Sequence, residues 1–227
     1  MQSEKISKLP PYLFEEIDRV RESLLSSGRE VLDLGIGDPD LGAPAPLLES
    51  LRQSLDIPDY HRYPPGIGLP DLRASILELL KRRYGQSLSE NEIIITIGSK
   101  EAIGHFPLAV VNPGDTVLIP DPGYPVYYSS AVFAGADVLR MPLRESNCYW
   151  PDFKELSDEV SSRAALIYLN YPNNPTSRTV SGERFDEAIE FCREREIILA
   201  NDAAYSDIYY HHPPEVLFPR AREAGIP

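Results

Sequence analysis

The chain alternates short apolar runs, rich in β-branched residues, with longer segments in which apolar residues recur every three or four positions. Short continuous runs are typical of buried strands, and the wider spacing is typical of amphipathic helices. The runs predict strands, each buried on both faces, at 92–97, 116–119, 137–141, 164–169 and 197–200. The spaced segments predict helices at 12–26, 46–55, 69–84, 99–110, 124–134 and 182–196. Because helix and strand take turns, we expect an α/β fold with a mainly parallel sheet.

The composition is that of a folded chain with an acidic surface. The chain has 227 residues, 42% of them hydrophobic, and lacks the apolar stretch of roughly 20 residues that crosses a bilayer. Its formal charge of -13 disfavours binding to nucleic acid. Cys148 and Cys192 are too few for a disulfide framework or a metal site, and no leader peptide opens the chain. We therefore expect a cytoplasmic protein with no metal site and no membrane or nucleic-acid partner.

The loops that follow the predicted strands are where chemistry is expected, because ligands of open parallel sheets bind beyond the carboxyl ends of the strands. The first loop, Gly98-Ser99-Lys100-Glu101-Ala102, passes from a strand straight into a helix. Free backbone N–H groups and the positive end of the helix dipole would suit a phosphate there. Taken alone, the motif is also explained by Ser99 capping the helix and Glu101 adding charge to its first turn. Lys100 could likewise be a solvated lysine at the start of a helix.

Two further loops carry polar side chains after predicted strands. In 170–176, two prolines forbid a helix, and the asparagines either fix a turn or reach a ligand. Asp202 directly follows an apolar strand, where a buried and unpaired carboxylate would be costly, and Tyr205 comes three residues later. A helix cap would explain Asp202 and simple packing would explain Tyr205. Taken singly, these residues leave both interpretations open.

Six motifs occur in a fixed order along the chain. They are Gly35-Ile36-Gly37-Asp38-Pro39; Tyr63-Pro64-Pro65-Gly66 followed by Leu69-Pro70-Asp71-Leu72-Arg73; Gly98-Ser99-Lys100-Glu101-Ala102; Asp121-Pro122-Gly123-Tyr124-Pro125; Asn173-Asn174-Pro175-Thr176; and Asp202-Ala203-Ala204-Tyr205. Together, and over essentially the whole chain, they resemble the class I/II aminotransferases of the fold-type I enzymes that depend on pyridoxal 5'-phosphate (PLP). The resemblance implies PLP as cofactor, amino-acid and 2-oxo-acid substrates, and a homodimer with shared active sites.

The resemblance also implies a domain organisation. Residues 43–227 would form a PLP-binding large domain, a three-layer αβα structure with a mainly parallel sheet that is incomplete at the C-terminal end. Residues 1–42 would form an N-terminal arm and a segment of the small domain. Gly and Pro cluster between 35 and 46, which agrees with a boundary there.

Individual residues receive roles from the same resemblance. Asp202 would pair with the protonated pyridine nitrogen of the cofactor, keeping the ring cationic as an electron sink. Asn174 and Tyr205 would hydrogen-bond the phenolate oxygen of the ring, and Tyr124 would stack on the face of the ring. These contacts would hold the cofactor and tune its electronic properties.

The phosphate and the substrate would be held by other residues. Ser99 and Lys100 would bind the phosphate, and Tyr63 would reach the phosphate in the neighbouring subunit. Gly37 would lie over the α-carboxylate of the substrate, where the lack of a side chain permits close approach. Gly35 and Gly37 also match part of a dinucleotide fingerprint, but the third glycine of that fingerprint is missing.

The chain departs from the family pattern at two places. Ser177 follows Asn-Pro-Thr where the family usually has glycine, and a positive φ is harder for serine. No lysine lies in the Ser-x-Ser-Lys context that would attach the cofactor covalently, and the resemblance places that lysine beyond Pro227. We therefore expect a fragment that holds no catalytic residue and is inactive as it stands.

Within the family, residues 32–40 and 63–73 look most like the LL-diaminopimelate aminotransferase branch. That branch implies amino transfer between glutamate or 2-oxoglutarate and tetrahydrodipicolinate or LL-diaminopimelate, in lysine biosynthesis. Relatives that use alanine, aspartate or aromatic amino acids have similar N-terminal halves, so those substrates stay open. A further alternative is a short PLP-binding or dimerising module without catalysis.

Overall fold

A parallel sheet forms the centre of the protein. The computed structural model describes residues 2–11, 13–35, 37, 39–157 and 162–226. Within these residues the sheet has four strands in the order β2-β1-β3-β4, and each neighbouring pair is parallel. The strands are β1 Thr116–Asp121, β2 Asp137–Pro142, β3 Ala164–Asn170 and β4 Ile198–Asp202. Four of the five predicted strands are therefore confirmed.

Helices occupy much of the rest of the described chain. They are α1 Glu4–Ser7, α2 Leu13–Ser26, α3 Ala45–Ser54, α4 Pro70–Tyr84, α5 Gly98–Val110, α6 Pro125–Ala134, α7 Gly182–Arg195 and α8 Leu217–Ala224. Short 3₁₀ helices lie at Pro58–His61, Glu90–Glu92, Glu145–Asn147 and Phe153–Glu155. The six predicted helices are present, although residue 12, the predicted start of the first, lies outside the described residues. Across the described residues, no helix combines the length and the apolar character needed to cross a membrane.

The sheet lies between two layers of helices. On β1, Val117 and Ile119 pack with α5 and α6, whereas Leu118 packs with α7 and α8 on the opposite face. Strand β3 alternates in the same way, with Tyr168 in the first layer and Ile167 in the second. Burying each such side chain stabilises the fold by about 1.5–3 kcal/mol. This arrangement confirms the expected three-layer αβα fold.

Proline and glycine set the ends of two helices. A proline occupies the first position of α4 and of α6, where its missing N–H costs no hydrogen bond. Gly85 and Gly135 follow these helices with φ of 69° and 85°, a left-handed conformation that glycine adopts without a steric penalty. Helix α6 therefore begins directly after Tyr124, close to the carboxyl end of β1.

The predicted strand at 92–97 is wrong. Glu90–Glu92 is a 3₁₀ helix, and the residues that follow make no strand pairing within the described part of the chain. Ile94 and Ile97 are 62% and 90% exposed. A strand exists only when a neighbouring strand receives its hydrogen bonds, and an apolar run cannot reveal whether that neighbour is present.

The expectation that every strand is buried on both faces is wrong for β2 and β4. In β2 only Met141 is buried and in β4 only Leu199. Both strands lie at an edge of the four-stranded sheet, and each pairs with one neighbour alone among the described strands. Strands β1 and β3 are buried almost throughout.

The hydrophobic core lies in the second half of the chain. No residue before Arg73 whose side chain the structure describes is buried, and the two core clusters run from Ile103 to Leu217. The division at residues 42 and 43 stays a prediction.

The two cysteines provide a test of the packing of α7. Cys192 is 1% exposed, and burial raises the pKa of its thiol to about 12, whereas Cys148 is exposed. Because the thiolate is the reactive form, we expect Cys148 to react with a chromogenic disulfide reagent at pH 8 at least ~100-fold faster than Cys192. The Cys148→Ser variant should lose the fast phase. Equal rates for the two thiols would contradict the burial of α7 against the sheet.

Candidate cofactor site at the carboxyl ends of the strands

A cavity of about 130 Å³ lies where β3, β4, the start of α5 and the residue before α6 meet. It is lined by Ser99, Lys100, Tyr124, Asn170, Asn174, Asp202, Ala204 and Tyr205. A larger, mainly apolar cavity of about 720 Å³ shares Ser99, Asp202 and Ala204 with it. The small cavity alone is below the roughly 300–1,000 Å³ of ligand pockets, whereas the two together offer room for a ligand of cofactor size.

Six of the eight residues predicted from the motifs line the small cavity. They are Ser99, Lys100, Tyr124, Asn174, Asp202 and Tyr205. Tyr63 and Gly37 do not: the Tyr63 side chain is fully exposed, and no atom of the described residues lies within 4 Å of the position that a Cβ would take at Gly37. Both precede Arg73, the first of the described side chains that is buried. Their predicted roles stay predictions.

Asp202 is the last residue of β4, and both of its carboxylate oxygens accept hydrogen bonds. The Tyr127 hydroxyl donates to Oδ2 at 2.8 Å, and the backbone N–H of Ala204 donates to Oδ1 at 3.2 Å. No helix begins at Asp202, so the alternative of a helix cap does not apply. The carboxylate is paired, as a charge at the end of an apolar strand must be.

Asn170 lies in the loop whose asparagines were expected to fix a turn or reach a ligand, but the sequence assigned it no place in the site. It lies opposite Asp202 in the register of β3 and β4, and its side chain is 1% exposed. Its Nδ2 donates to the Asp202 carbonyl at 2.8 Å, and its Oδ1 accepts from the Asn174 backbone N–H at 2.7 Å. Asn170 thus fixes the loop that carries Asn174 to the end of β4. The available signal was a polar residue closing an otherwise apolar strand.

Asn174 and Tyr205 meet at the mouth of the cavity. The Asn174 Nδ2 donates to the Tyr205 hydroxyl oxygen at 3.2 Å. An amide carries two hydrogens and a phenol carries one, so this pair can also donate to an oxygen atom bound in the cavity. Simple packing does not account for Tyr205, which is 37% exposed.

Tyr127 is the second missed residue. It lies on α6, three residues after Tyr124, and is fully buried. Its ring stacks on that of Tyr168, with the ring centroids 4.8 Å apart. Burial, and then the charge of Asp202, raise the pKa of the Tyr127 phenol far above its ordinary value, so the group stays a neutral donor. The signal in the sequence was a second tyrosine three residues after Tyr124 within the predicted helix 124–134.

The start of α5 has the geometry of an anion seat. Gly98 adopts φ of 71°, the helix begins there, and Ser99 and Lys100 occupy its first turn beside the cavity. Glu101, not Ser99, accepts the hydrogen bond from the Ile97 backbone N–H, so Ser99 is not the cap. Backbone N–H groups at the start of a helix of 13 residues favour a bound anion such as phosphate.

Ser177 takes the conformation that the family usually assigns to glycine. Its φ is 58°, in the left-handed region, and its backbone N–H donates to the Asn173 carbonyl at 2.7 Å. The departure from the family pattern therefore leaves the turn beside Asn174 formed.

The polar and aromatic groups around the cavity fit PLP. A carboxylate suits the cationic ring nitrogen, and the amide and phenol of Asn174 and Tyr205 suit an anionic ring oxygen. The ring of Tyr124 suits a flat aromatic face, and the start of α5 suits a phosphate. Groups of opposite chemistry are thus arranged around one cavity, as the parts of this cofactor require.

A three-layer αβα fold with such a cavity at the carboxyl ends of its strands is that of a PLP-dependent transferase. The sequence model of the family "Aminotransferase class I and II" matches residues 29–224. The chain belongs to this family, and PLP is the cofactor of its members. The cofactor and the fold expected from the motifs are thereby confirmed.

Several curated relatives carry the name LL-diaminopimelate aminotransferase. The chain is 43% identical to the LL-diaminopimelate aminotransferase of Aquifex aeolicus over 99% of its own length, and 42% identical to LL-diaminopimelate aminotransferase 2 of Nostoc. It spans 59% of the length of each of these relatives. Among solved structures, substrate-bound BacF from Bacillus subtilis matches 99% of the chain with a TM-score of 0.90 and 32% identity; the match covers 57% of BacF.

The turn that presents Tyr124 depends on glycine at position 123. A Cβ there would lie 2.4 Å from the backbone oxygen of Pro120, which cannot move aside as a flexible side chain would. We expect Gly123→Ala to lower the free energy of unfolding by about 1–3 kcal/mol, measured by urea titration. The matched control is Gly104→Ala within α5, where no atom lies within 4 Å of the new methyl group. It should raise the free energy of unfolding by up to ~1 kcal/mol, and equal effects of the two variants would contradict the turn geometry.

Proposed function

We propose that this chain forms the cofactor-binding part of a PLP-dependent aminotransferase that acts on LL-diaminopimelate. The observation that carries the proposal is the convergence of Ser99, Lys100, Tyr124, Asn174, Asp202 and Tyr205 on one cavity. These residues come from four separate segments of the chain, so their convergence is a property of the fold. The lysine and the arginines that complete such a site would lie in the part of the relatives' length that this chain does not span.

Each side chain has a defined task in this proposal. PLP, when bound, supplies an electron sink for the carbon that carries the substrate amino group. Asp202 holds a proton on the ring nitrogen, and Asn174 and Tyr205 donate hydrogen bonds to the ring oxygen. Tyr124 covers one face of the ring, and Ser99 and Lys100 hold the phosphate at the start of α5.

The choice of substrate follows from the named relatives. Curated relatives that are 39–43% identical carry the name LL-diaminopimelate aminotransferase. We infer a reversible amino transfer from glutamate to tetrahydrodipicolinate, with 2-oxoglutarate and LL-diaminopimelate as the products. This reaction belongs to lysine biosynthesis and would take place in the cytoplasm.

A homodimer with shared active sites is part of the proposal. Tyr63 is fully exposed and does not line the small cavity in this single chain, which supports a contact with the neighbouring subunit. In the dimer, Tyr63 would donate a hydrogen bond to the phosphate held by Ser99 and Lys100 of the other subunit.

The proposal is tested by the absorbance of PLP bound to the protein at its natural length. We expect LL-diaminopimelate and glutamate, added separately, to convert the spectrum of the bound cofactor, because both would donate their amino group to it. Alanine, aspartate and phenylalanine serve as controls. Conversion by one of these controls alone would move the protein to another branch, and no bound cofactor spectrum at all would favour the non-catalytic module.

Asp202 is expected to dominate the chemistry of the ring. Removing its carboxylate in Asp202→Ala leaves the ring nitrogen without a partner for its proton, so we expect kcat to fall by about 10³-fold or more. The matched control is Asp56→Ala, at an exposed position outside both cavities, which should change kcat less than about twofold. Near-normal turnover of Asp202→Ala would contradict the assignment.

A further inference from the structure

We propose that Tyr127 is a positioning residue for the ring of the cofactor, acting through Asp202 and Tyr124. The inference rests on the function proposed above and adds to it a buried residue that does not line the small cavity. In this role Tyr127 fixes the orientation of the Asp202 carboxylate and sets where the ring of Tyr124 lies relative to it.

The first step is the hydrogen bond to Asp202. Tyr127 is fully buried, and its hydroxyl donates to Asp202 Oδ2 at 2.8 Å. A hydrogen bond to a charged acceptor stabilises the charged form and fixes the direction of its lone pairs. Because burial keeps the phenol neutral, the donated hydrogen is retained whenever Asp202 is ionised.

The second step concerns what Asp202 would lose without this donor. Oδ1 would keep the hydrogen bond from the Ala204 backbone N–H, at 3.2 Å the longer of the two. Oδ2 would face the buried side of the site with no donor, which is costly for a carboxylate oxygen. The carboxylate would no longer be held in its present orientation, so the contact with the cofactor would weaken.

The third step is the packing of the Tyr127 ring. Its centroid lies 5.8 Å from that of Tyr124 in an edge-to-face contact and 4.8 Å from that of Tyr168 in a stacked one. Tyr168 is itself tied to α5, because its hydroxyl donates to the Ile103 carbonyl at 3.1 Å. Tyr127 thus contacts the residue proposed to cover the ring face and the residue proposed to hold the ring nitrogen, and it rests on a fixed support.

The test compares two ligands that differ only at the ring nitrogen. The protein at its natural length is titrated with PLP and with the carbocyclic analogue in which a C–H group replaces that nitrogen, and the ratio of the two Kd values is measured. We expect the unaltered protein to prefer PLP, and Tyr127→Phe to reduce that preference about tenfold, the value of one charge-assisted hydrogen bond. The matched control is Tyr171→Phe, a buried tyrosine of the opposite layer whose hydroxyl donates to the Tyr149 carbonyl at 2.6 Å.

The ratio of the two Kd values separates a positioning role from general damage to the fold, because a loosened fold weakens the binding of both ligands alike. An unchanged ratio in Tyr127→Phe, or the same fall in Tyr171→Phe, would overturn the role of Tyr127. A protein that binds no PLP or shows no preference before substitution would instead overturn the proposed function. If Tyr127→Phe does not fold, Tyr127→His is the second variant, because it keeps an aromatic donor. The Asp202→Asn variant, which has no carboxylate, is the reference. A ratio of Kd values in Tyr127→His unlike that in Asp202→Asn supports the role. A ratio as low as that of Asp202→Asn in the folded Tyr127→His protein would count against it.

Discussion

The carboxylate of Asp202 at the end of β4 is the interaction on which the rest of the site depends. A charge at the end of an apolar strand is costly unless it is paired, and here each of its two oxygens has a donor. One donor comes from α6 and the other from the turn that leads to Tyr205. Pairing the charge therefore also orders the helix that follows Tyr124 and the turn that leads to Tyr205.

The scaffold around this charge explains why the contacts converge. In a parallel sheet the carboxyl ends of the strands meet at one edge, so β3 and β4 deliver Asn170 and Asp202 side by side. Helices α5 and α6 pack on the same face of the sheet and begin at that edge. The start of α5 brings a positive helix dipole and α6 brings Tyr124, so groups suited to a phosphate, a ring face and a ring nitrogen lie around one cavity.

The local pattern of apolar residues and the order of the motifs were sufficient to predict most helices and strands and much of the cavity. Apolar runs predicted β1, β3 and β4, and the spacing of apolar residues predicted α2 to α7, because burial on one or both faces is written directly into residue order. The same runs predicted a strand at 92–97 and full burial of β2 and β4 wrongly, since pairing and the place of a strand in the sheet depend on other segments. Six residues of the cavity could be named from motifs. The roles of Tyr127 and Asn170 could not be assigned, because they arise from a helix contact and a strand register that no short motif contains.

The most direct test of the central claim is the protonation state of the cofactor's ring nitrogen, read by ¹⁵N NMR of protein carrying PLP labelled at that atom. If Asp202 keeps the ring nitrogen protonated, the nitrogen signal will lie at the position of a protonated pyridine across neutral and mildly alkaline pH. It will move to the unprotonated position in Asp202→Ala. An unprotonated signal in the unaltered protein at neutral pH would contradict the account, because the paired carboxylate at the end of β4 would then not serve the ring.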